Sequence, residues 1–286
     1  MDPVRQWREQ GYVVVRKVFD AERIARLLPI VEDVWRRSQV REPTAGVPSP
    51  PDAPVLFHCN HPEYFADDRS RLAEVLSAGS AERVLDVPRR LFGEEPLFRS
   101  FSLWFSPERV STDGHWHRDT QFLFPQEAEE RARFPGFIDS DFGGSSAQFQ
   151  IALVASDDVE YVPGSHGRWD TPAENAIRRA DGAKHWRSNA MPGAVRVALE
   201  AGDGVIFNPM GLHRGRYHVD KLRRTFMATL TKTSAPLQDH FVRQPWFLDP
   251  GYLDGVPPAQ RAFYERFIVH FGDWWRAGSP LESKAG

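Results

Sequence analysis

Residues 114–119 read GHWHRD, and this stretch carries the clearest chemical signal in the chain. Side chains alternate between the two faces of a β-strand, so a strand here would place His115, His117 and Asp119 on one face. His117 and Asp119 could then bind the same metal ion. Taken alone, the H-x-D pattern is equally typical of a polar surface strand.

A third candidate ligand lies in residues 202–216, GDGVIFNPMGLHRGR. It is His213, which follows His117 by 213 − 117 = 96 residues and ends a strand-like run. Two histidines and one carboxylate form the facial triad of non-haem iron(II) oxygenases, which leaves positions for 2-oxoglutarate and dioxygen. The pattern therefore predicts His117, Asp119 and His213 as metal ligands and catalytic residues.

A keto acid bound to iron also needs a partner for its distal carboxylate. Arginine suits this role because its planar fork matches a carboxylate and keeps its charge. Arg224 follows His213 by 224 − 213 = 11 residues and is preceded by Arg223 in the run RRTFMATLT. Neighbouring residues on a strand face opposite ways, so only one of the two can enter the site.

The chain resembles the phytanoyl-CoA dioxygenase family of iron(II)- and 2-oxoglutarate-dependent oxygenases. The motifs that carry the resemblance are EQGYVVVRKVF, WHRD, QIALVASDDVEYVPGSH, AGDGVIFNPMGLHRGR and RRTFMATL, which extend over most of the chain to about Leu230. The resemblance implies a mainly β fold with flanking helices, built on a double-stranded β-helix (jelly-roll, cupin-like) core. We expect one domain over 1–286, with helices mainly in 1–95 and 257–276 and a β core over about 96–232.

The resemblance also implies roles for individual residues. His117, Asp119 and His213 would be the iron ligands. Arg224 would point inward as the anchor of 2-oxoglutarate, with Gln150 beside the cosubstrate and Arg223 facing outward.

Other positions are weaker candidates. His115, Arg118 and Arg216 are candidate substrate contacts, and a solvated loop position is the alternative for Arg216. His166 belongs to a V-P-G-S-H turn that is structural in this family, so we do not expect it to be a ligand. The family often has a small hydroxyl residue two positions after the distal histidine, where this chain has Gly215.

The implied cofactors are Fe(II), 2-oxoglutarate as cosubstrate, and O2. Hydroxylation of a small molecule, with release of succinate and CO2, is the default outcome, although desaturation, cyclisation and epimerisation use the same oxidant. Relatives that halogenate carry Gly or Ala where this chain has Asp119, which argues against halogenation. Two alternatives remain: a cupin-type dioxygenase that uses His115 as a third histidine without 2-oxoglutarate, and a non-catalytic jelly-roll binding protein.

Composition narrows the partners and the location. Lys and Arg total 36 against 39 Asp and Glu, for a net charge of −3, so no basic excess points to nucleic acid. The single cysteine, Cys59, excludes an intrachain disulfide. No signal-peptide pattern and no membrane-length apolar run is present in the sequence. We expect a cytoplasmic enzyme with a small-molecule substrate, with no nucleic-acid or membrane partner, and we allow for a homodimer.

The local patterns predict the following elements. They are a strand over Tyr12–Phe19, a helix capped by Asp20 with Pro29 inside it, two helices over Arg69–Leu91, several short strands from Leu97 onward including GHWHRDTQF, and a helix opened by Pro257–Pro258 with Phe263, Phe267, His270, Phe271 and Trp274 as a core or dimer stripe. The proline-rich stretch Pro43–Pro54 is expected to be a surface loop, with a lid over the site as the alternative.

Overall fold

The computed structural model describes residues 2–39, 55–139, 146–236 and 238–278. The loop or lid predicted over Pro43–Pro54 lies outside the described residues. Among the helices described, none is both long and apolar enough to cross a membrane.

Helices lie mainly at the two ends of the chain and strands in between. The α-helices are α1 (Pro3–Gln10), α2 (Ala21–Gln39), α3 (Arg69–Gly79), α4 (Glu82–Phe92), α5 (Thr120–Leu123), α6 (Glu127–Asp139), α7 (Pro172–Arg178), α8 (Ala180–Ala183) and α9 (Pro258–Arg276). The strands are β1 (Tyr12–Val15), β2 (Val55–Phe57), β3 (Pro96–Phe105), β4 (Thr112–Asp113), β5 (Ser146–Ala152), β6 (Ser156–Tyr161), β7 (Val195–Leu199), β8 (Gly204–Phe207), β9 (His213–Tyr217) and β10 (Arg224–Lys232).

The strands form two antiparallel sheets. The larger sheet has the order β1-β8-β5-β10-β3-β2 and the smaller has the order β4-β9-β6-β7. From β3 to β10 the chain passes back and forth between the sheets, which is the connectivity of a jelly roll. The predicted fold class, a jelly-roll core with flanking helices, is therefore confirmed.

The two faces of the larger sheet differ in polarity. On β10, Phe226, Ala228 and Leu230 belong to the main hydrophobic core together with residues of α2, α3, α4 and α9. The opposite face is buried yet polar: its residues include Ser100, Ser102, Gln150, Thr225, Thr229 and Thr231. Because buried polar groups are costly without partners, an inner face of this kind is typical of a ligand cavity.

Two local predictions need correction. The first strand ends at Val15, because the chain turns at Lys17, whose φ is 54°. The stretch GHWHRDTQF is not a regular strand: beyond Asp113 it pairs only through an isolated bridge between His117 and His213, and α5 begins at Thr120.

The two terminal helical predictions are confirmed in α2 and α9. Phe263, Phe267 and Phe271 are buried core residues, whereas His270 is exposed. The stripe on α9 is therefore mainly core, and its aromatic rings surround Phe98 of β3 at centroid distances such as 4.8 Å to Phe267.

A pair of helical glycines tests the packing of the core. A Cβ on Gly79 of α3 would overlap the ring of Phe101, which is fully buried, whereas a Cβ on Gly136 of α6 would meet nothing within 4 Å. We expect Gly79→Ala to lower the free energy of unfolding by about 1–3 kcal/mol through overpacking. Gly136→Ala should raise it by up to about 1 kcal/mol through helix propensity. Urea denaturation of both variants measures the two signs, and stabilisation by Gly79→Ala would contradict this account of the core.

Candidate metal centre

Three predicted ligands come together at one point between the sheets. Single ligand atoms of His117, Asp119 and His213 all lie within 4.8 Å of one another. Oδ1 of Asp119 is 3.7 Å from Nε2 of each histidine. In the described part of the chain, this is the group of histidine and acidic side chains whose geometry could hold a metal ion.

The backbone fixes the orientation of both imidazoles. His117 and His213 exchange backbone hydrogen bonds of 3.1 and 3.0 Å, which hold the two ligand segments side by side. Nδ1 of His117 lies 2.9 Å from the carbonyl oxygen of His115, and Nδ1 of His213 lies 2.9 Å from that of Gly211. A proton on each Nδ1 would be donated to these carbonyls, so each Nε2 is left as a ligand facing the shared centre.

The carboxylate is oriented in a similar way. Nε2 of Gln148 donates a 2.8 Å hydrogen bond to Oδ2 of Asp119, which leaves Oδ1 directed at the histidines. Burial raises the pKa of Asp119, lowers the pKa of His117 well below its ordinary value, and lowers the pKa of His213 to about 4. Neutral imidazoles are the metal-binding form, so this donor set fits a divalent transition metal.

Arg118 lies behind the metal-binding segment and not in the site. Its side chain is 0 % exposed and forms an ion pair with Asp170 at 2.8 Å. Its Nη1 donates to the carbonyl oxygens of Ser165 at 2.6 Å and Met210 at 2.5 Å. The prediction of Arg118 as a substrate contact is therefore wrong, because protein atoms surround the guanidinium on every side and leave no surface for a substrate.

Arg216, His115 and His166 also lie outside the group of proposed metal ligands. Arg216 lies on the outer face of β9, where it pairs with Asp113 at 2.8 Å, so it does not face the site. His115 lies beside the site but outside the ligand cluster, and its ring stacks on Trp186 at 4.5 Å. His166 lies in a 3-10 turn, Ser165–Gly167, where it is not among the grouped ligands.

The two adjacent arginines face the opposite way from the prediction. Nε of Arg224 donates to Glu32 of α2 at 2.5 Å, on the helical side of the sheet. Arg223 is 2 % exposed and points inward, where Nη2 donates to Oε1 of Gln150 at 3.1 Å and Nε to Thr225 at 3.4 Å. The reason is strand alternation: Arg224 shares a face with the apolar residues of β10, and Arg223 shares a face with its threonines.

Arg223 lies in an aromatic and polar cradle. Its guanidinium carbon is 4.9 Å from the ring centre of Tyr217 and 5.6 Å from that of Trp104. No carboxylate among the described residues is within ion-pair distance of Arg223, although its side chain is buried. Ser102 Oγ and Trp104 Nε1 are also buried here without a hydrogen-bond partner among the described residues. A buried cation beside orphaned donors fits an anionic ligand.

The absence of a side chain at Gly215 makes room for the phenol of Tyr217 beside Arg223. A Cβ at this position would overlap the hydroxyl of Tyr217 and lie 3.1 Å from Nη1 of Arg223. The phenol therefore takes the space that a side chain at position 215 would occupy. Arg223 and burial act on the pKa of Tyr217 in opposite directions, with burial the larger effect, so that pKa is raised and the phenol stays protonated.

Gln148, Tyr217 and Arg223 were not among the predicted site residues. Gln148 and Gln150 lie in the run AQFQIA, in which polar and apolar residues alternate. That alternation was the available signal, since it places both glutamines on one face of β5. The partner of Gln148 is distant in sequence, so its contact with Asp119 could not be read from the run itself.

Comparisons with known proteins identify the family. The family model described as phytanoyl-CoA dioxygenase (PhyH) matches residues 7–225. A comparison with curated proteins gives no match.

Several solved structures share the fold. EctD from S. alaskensis, crystallised with 2-oxoglutarate and 5-hydroxyectoine, has a TM-score of 0.58 and 18% identity over 90% of this chain and 85% of its own. AviO1 from Streptomyces viridochromogenes Tue57 has a TM-score of 0.56 and 18% identity over 83% of this chain and 96% of its own. The epimerase SnoN from nogalamycin biosynthesis, crystallised with Fe3+, alpha ketoglutarate and nogalamycin RO, has a TM-score of 0.53 and 19% identity over 82% and 84%.

The ligand set predicts a clear result for iron binding. His117→Ala or His213→Ala should weaken Fe(II) binding at least about a hundredfold, because even the loss of an outer hydrogen-bond partner of a ligand costs about 10–100-fold. His166→Ala is the matched control and should keep its iron. Iron content after anaerobic reconstitution, with circular dichroism as the check on folding, measures the difference. Loss of iron in the His166 variant alone would show that the distal ligand is misassigned.

Arg118 should matter for stability. Removing one partner of a buried ion pair costs roughly 3–5 kcal/mol, so Arg118→Ala should lower the free energy of unfolding by about that amount. Arg118→Lys should fall between wild type and Arg118→Ala, since a point charge cannot replace the planar fork. Arg36→Ala removes an exposed partner of Asp33 and should cost below about 1 kcal/mol. Equal midpoints for Arg118→Ala and Arg36→Ala in urea would contradict the role given to Arg118.

Proposed function

Because the chain belongs to the phytanoyl-CoA dioxygenase family, whose members depend on Fe(II) and 2-oxoglutarate and use O2, we propose that it is a dioxygenase that hydroxylates a small organic molecule. Succinate and CO2 would be the co-products. The proposal rests on two glutamines of β5, one of which contacts a proposed metal ligand while the other contacts Arg223.

The observation that carries the proposal is that Gln148 and Gln150 contact different parts of the site. Gln148 holds the metal-ligand carboxylate of Asp119, and Gln150 accepts from Arg223. The two glutamines are two residues apart on β5 and therefore lie about 7 Å apart on the same face. A short dicarboxylate could span this separation, with its keto-acid end at the metal ligands and its distal carboxylate at Arg223.

The protein groups then have separate tasks. His117, Asp119 and His213 would hold Fe(II), and Arg223 would donate a pair of hydrogen bonds to the distal carboxylate. When bound, iron and the keto acid supply the oxidising power that side chains lack. The protein supplies position and shelter from water, and the buried inner faces of the two sheets provide both.

Tyr217 is a further candidate for the cosubstrate pocket. Its hydroxyl lies where a side chain of residue 215 would be, close to Nη1 of Arg223. We infer that this phenol donates to the distal carboxylate and so takes the place of the small hydroxyl residue that is common at position 215 in the family. The contacts of the Arg223 guanidinium with the rings of Tyr217 and Trp104, which pack against each other, would help to hold it in place.

The two alternative functions have less support. A three-histidine site needs His115 to face the metal, but its ring stacks on Trp186 and it is absent from the ligand cluster. A binding protein without catalysis would have no need of a metal-ligand set such as His117, Asp119 and His213 beside the buried arginine. A carboxylate at position 119 also supports oxygenation over halogenation, since it occupies the coordination position that a halide would need.

We further infer that residues 1–286 work as one domain. Helix α9 lies beyond the family match, yet it packs on the larger sheet: Phe263 approaches Phe98 with ring centres 5.9 Å apart. That contact makes the C-terminal helix part of the core behind the site.

The pair of adjacent arginines gives the sharpest test. Arg223→Ala should weaken 2-oxoglutarate binding roughly a hundredfold to a thousandfold, since loss of one partner of a buried charge pair costs about 3–5 kcal/mol. Arg224→Ala is the matched control. It removes a partly exposed ion pair with Glu32 worth about 0–1 kcal/mol, so its effect should stay below about tenfold. The measurement is titration of 2-oxoglutarate into the anaerobic Fe(II) protein, followed by the metal-to-ligand absorption band.

The reverse order, with Arg224→Ala the damaging change, would overturn the assignment of Arg223. If neither change matters while the absorption band forms, the keto acid binds elsewhere. If 2-oxoglutarate is converted to succinate without consumption of an equal amount of O2, the dioxygenase proposal itself fails.

A further inference from the structure

Three aromatic side chains lie next to the proposed metal ligand His117, and we name them the mouth cluster: His115, Phe122 and Trp186. The ring of Phe122 is 5.4 Å from that of His117 and 6.1 Å from that of His115. His115 in turn stacks on Trp186 at 4.5 Å with an interplanar angle of 25°. The mouth cluster therefore touches a ligand of the metal directly.

The mouth cluster is exposed although it is aromatic. Phe122 is 60% exposed and Trp186 is 36% exposed, and Leu123 beside them is 48% exposed. The other large hydrophobic side chains that are exposed in the described part of the chain are Val110, Val219, Leu222 and Val269, which are all aliphatic. Exposed aromatic surface is thus concentrated at the metal ligands. A patch of this kind beside a reactive centre is typical of a binding site.

The rings are held in place by the ligand-bearing segment itself. Phe122 lies in α5, and its backbone N–H donates to the carbonyl oxygen of Asp119 at 3.1 Å. The carbonyl oxygen of Trp186 accepts from the backbone N–H of Trp116 at 2.7 Å. Trp116 Nε1 donates to the carbonyl oxygen of Ser188 at 2.9 Å, which fixes the same loop a second time. The exposed rings are therefore part of a pre-formed surface.

An independent feature points to a ligand at the same place. Nε2 of His115 is buried and has no hydrogen-bond partner among the described residues. The atom belongs to a ring that is already packed against Trp186 and lies 4.9 Å from the ring of His117. A buried polar atom without a partner is costly unless a bound molecule supplies the partner.

We propose that the mouth cluster is the substrate-binding surface, and that the substrate is a flat, ring-containing, largely apolar molecule with one polar group directed at Nε2 of His115. The inference rests on the proposed function, because a substrate here would lie beside His117 and so within reach of the metal centre. Stacking on the exposed ring surfaces of Phe122 and Trp186 favours planar rings over saturated ones, since aromatic pairs gain more than their buried area alone provides.

The test uses two probes with the same carbon skeleton and hydroxyl position, planar aromatic 2-naphthol and saturated decahydro-2-naphthol, titrated into the iron-free protein by calorimetry. Wild type should bind the naphthol at least about tenfold more tightly. Phe122→Ala and Trp186→Ala should each weaken naphthol binding about threefold to tenfold, in line with the worth of one aromatic pair. Trp186→Phe should restore most of the affinity, and His115→Phe should lose the polar contact while it keeps the ring. Val269→Ala, which removes exposed apolar surface on α9, is the control and should change nothing.

Equal affinity for the two probes, no detectable naphthol binding, or naphthol binding that survives both alanine substitutions would each overturn the proposal. The metal-to-ligand absorption band with Fe(II) and 2-oxoglutarate is recorded separately for wild type and Trp186→Ala. A normal band without naphthol binding would reject the mouth cluster and leave the dioxygenase assignment standing. Naphthol binding without a band would reject the dioxygenase assignment and leave the mouth cluster as an aromatic binding site.

Discussion

The site depends on a single buried guanidinium, that of Arg118. All five of its N–H groups are directed at protein acceptors: two bonds go to Asp170, and one each to the carbonyl oxygens of Ser165, Arg168 and Met210. Its neighbours in sequence are the two metal ligands of the H-x-D segment. One of its acceptors, the carbonyl oxygen of Met210, lies three residues before His213, the third proposed ligand. The same group therefore fixes the distance between the two parts of the chain that must meet at the metal.

The charge of Arg118 is balanced by a buried chain of ion pairs. Asp170 also binds Arg178 at 2.6 Å, and Arg178 binds Glu130 of α6 at 2.9 Å, with all of these side chains 0% exposed. Glu130 accepts from the hydroxyl of Thr120 at 2.7 Å, at the start of α5. Each charge in this network is paired with an opposite charge, which is a main condition under which buried ions are tolerated. It also connects the metal-binding segment to the helix that carries Phe122.

The sequence was sufficient to select three candidate ligands that the structure brings together, and it was insufficient to orient the arginines. His117, Asp119 and His213 could be chosen because their residue types are rare in combination and the resemblance fixes their order. Side-chain alternation along a strand predicts that Arg223 and Arg224 point to opposite faces of the sheet, but it does not predict which of them faces inward. That choice depends on which face of β10 covers the cavity. The resemblance placed Arg224 inward, whereas the structure turns Arg224 towards Glu32 and Arg223 towards Gln150.

The wrong answer has a physical cause in the arrangement of layers. The main hydrophobic core lies outside the larger sheet, between it and helices α2, α3, α4 and α9, so the apolar face of β10 points outward from the barrel. The inner face carries buried glutamines, serines and threonines, which would suit the polar cosubstrate proposed for this site. Stability and chemistry are thereby assigned to opposite faces of the same strands. On β5, Phe149 belongs to the core, while Gln148 and Gln150 on either side of it serve the metal centre and the arginine. The helices cover the outer face of the larger sheet and form the hydrophobic core there, so the space between the sheets does not have to be apolar. A polar residue in an otherwise apolar strand of this protein is therefore a stronger indication of the site than an apolar residue is.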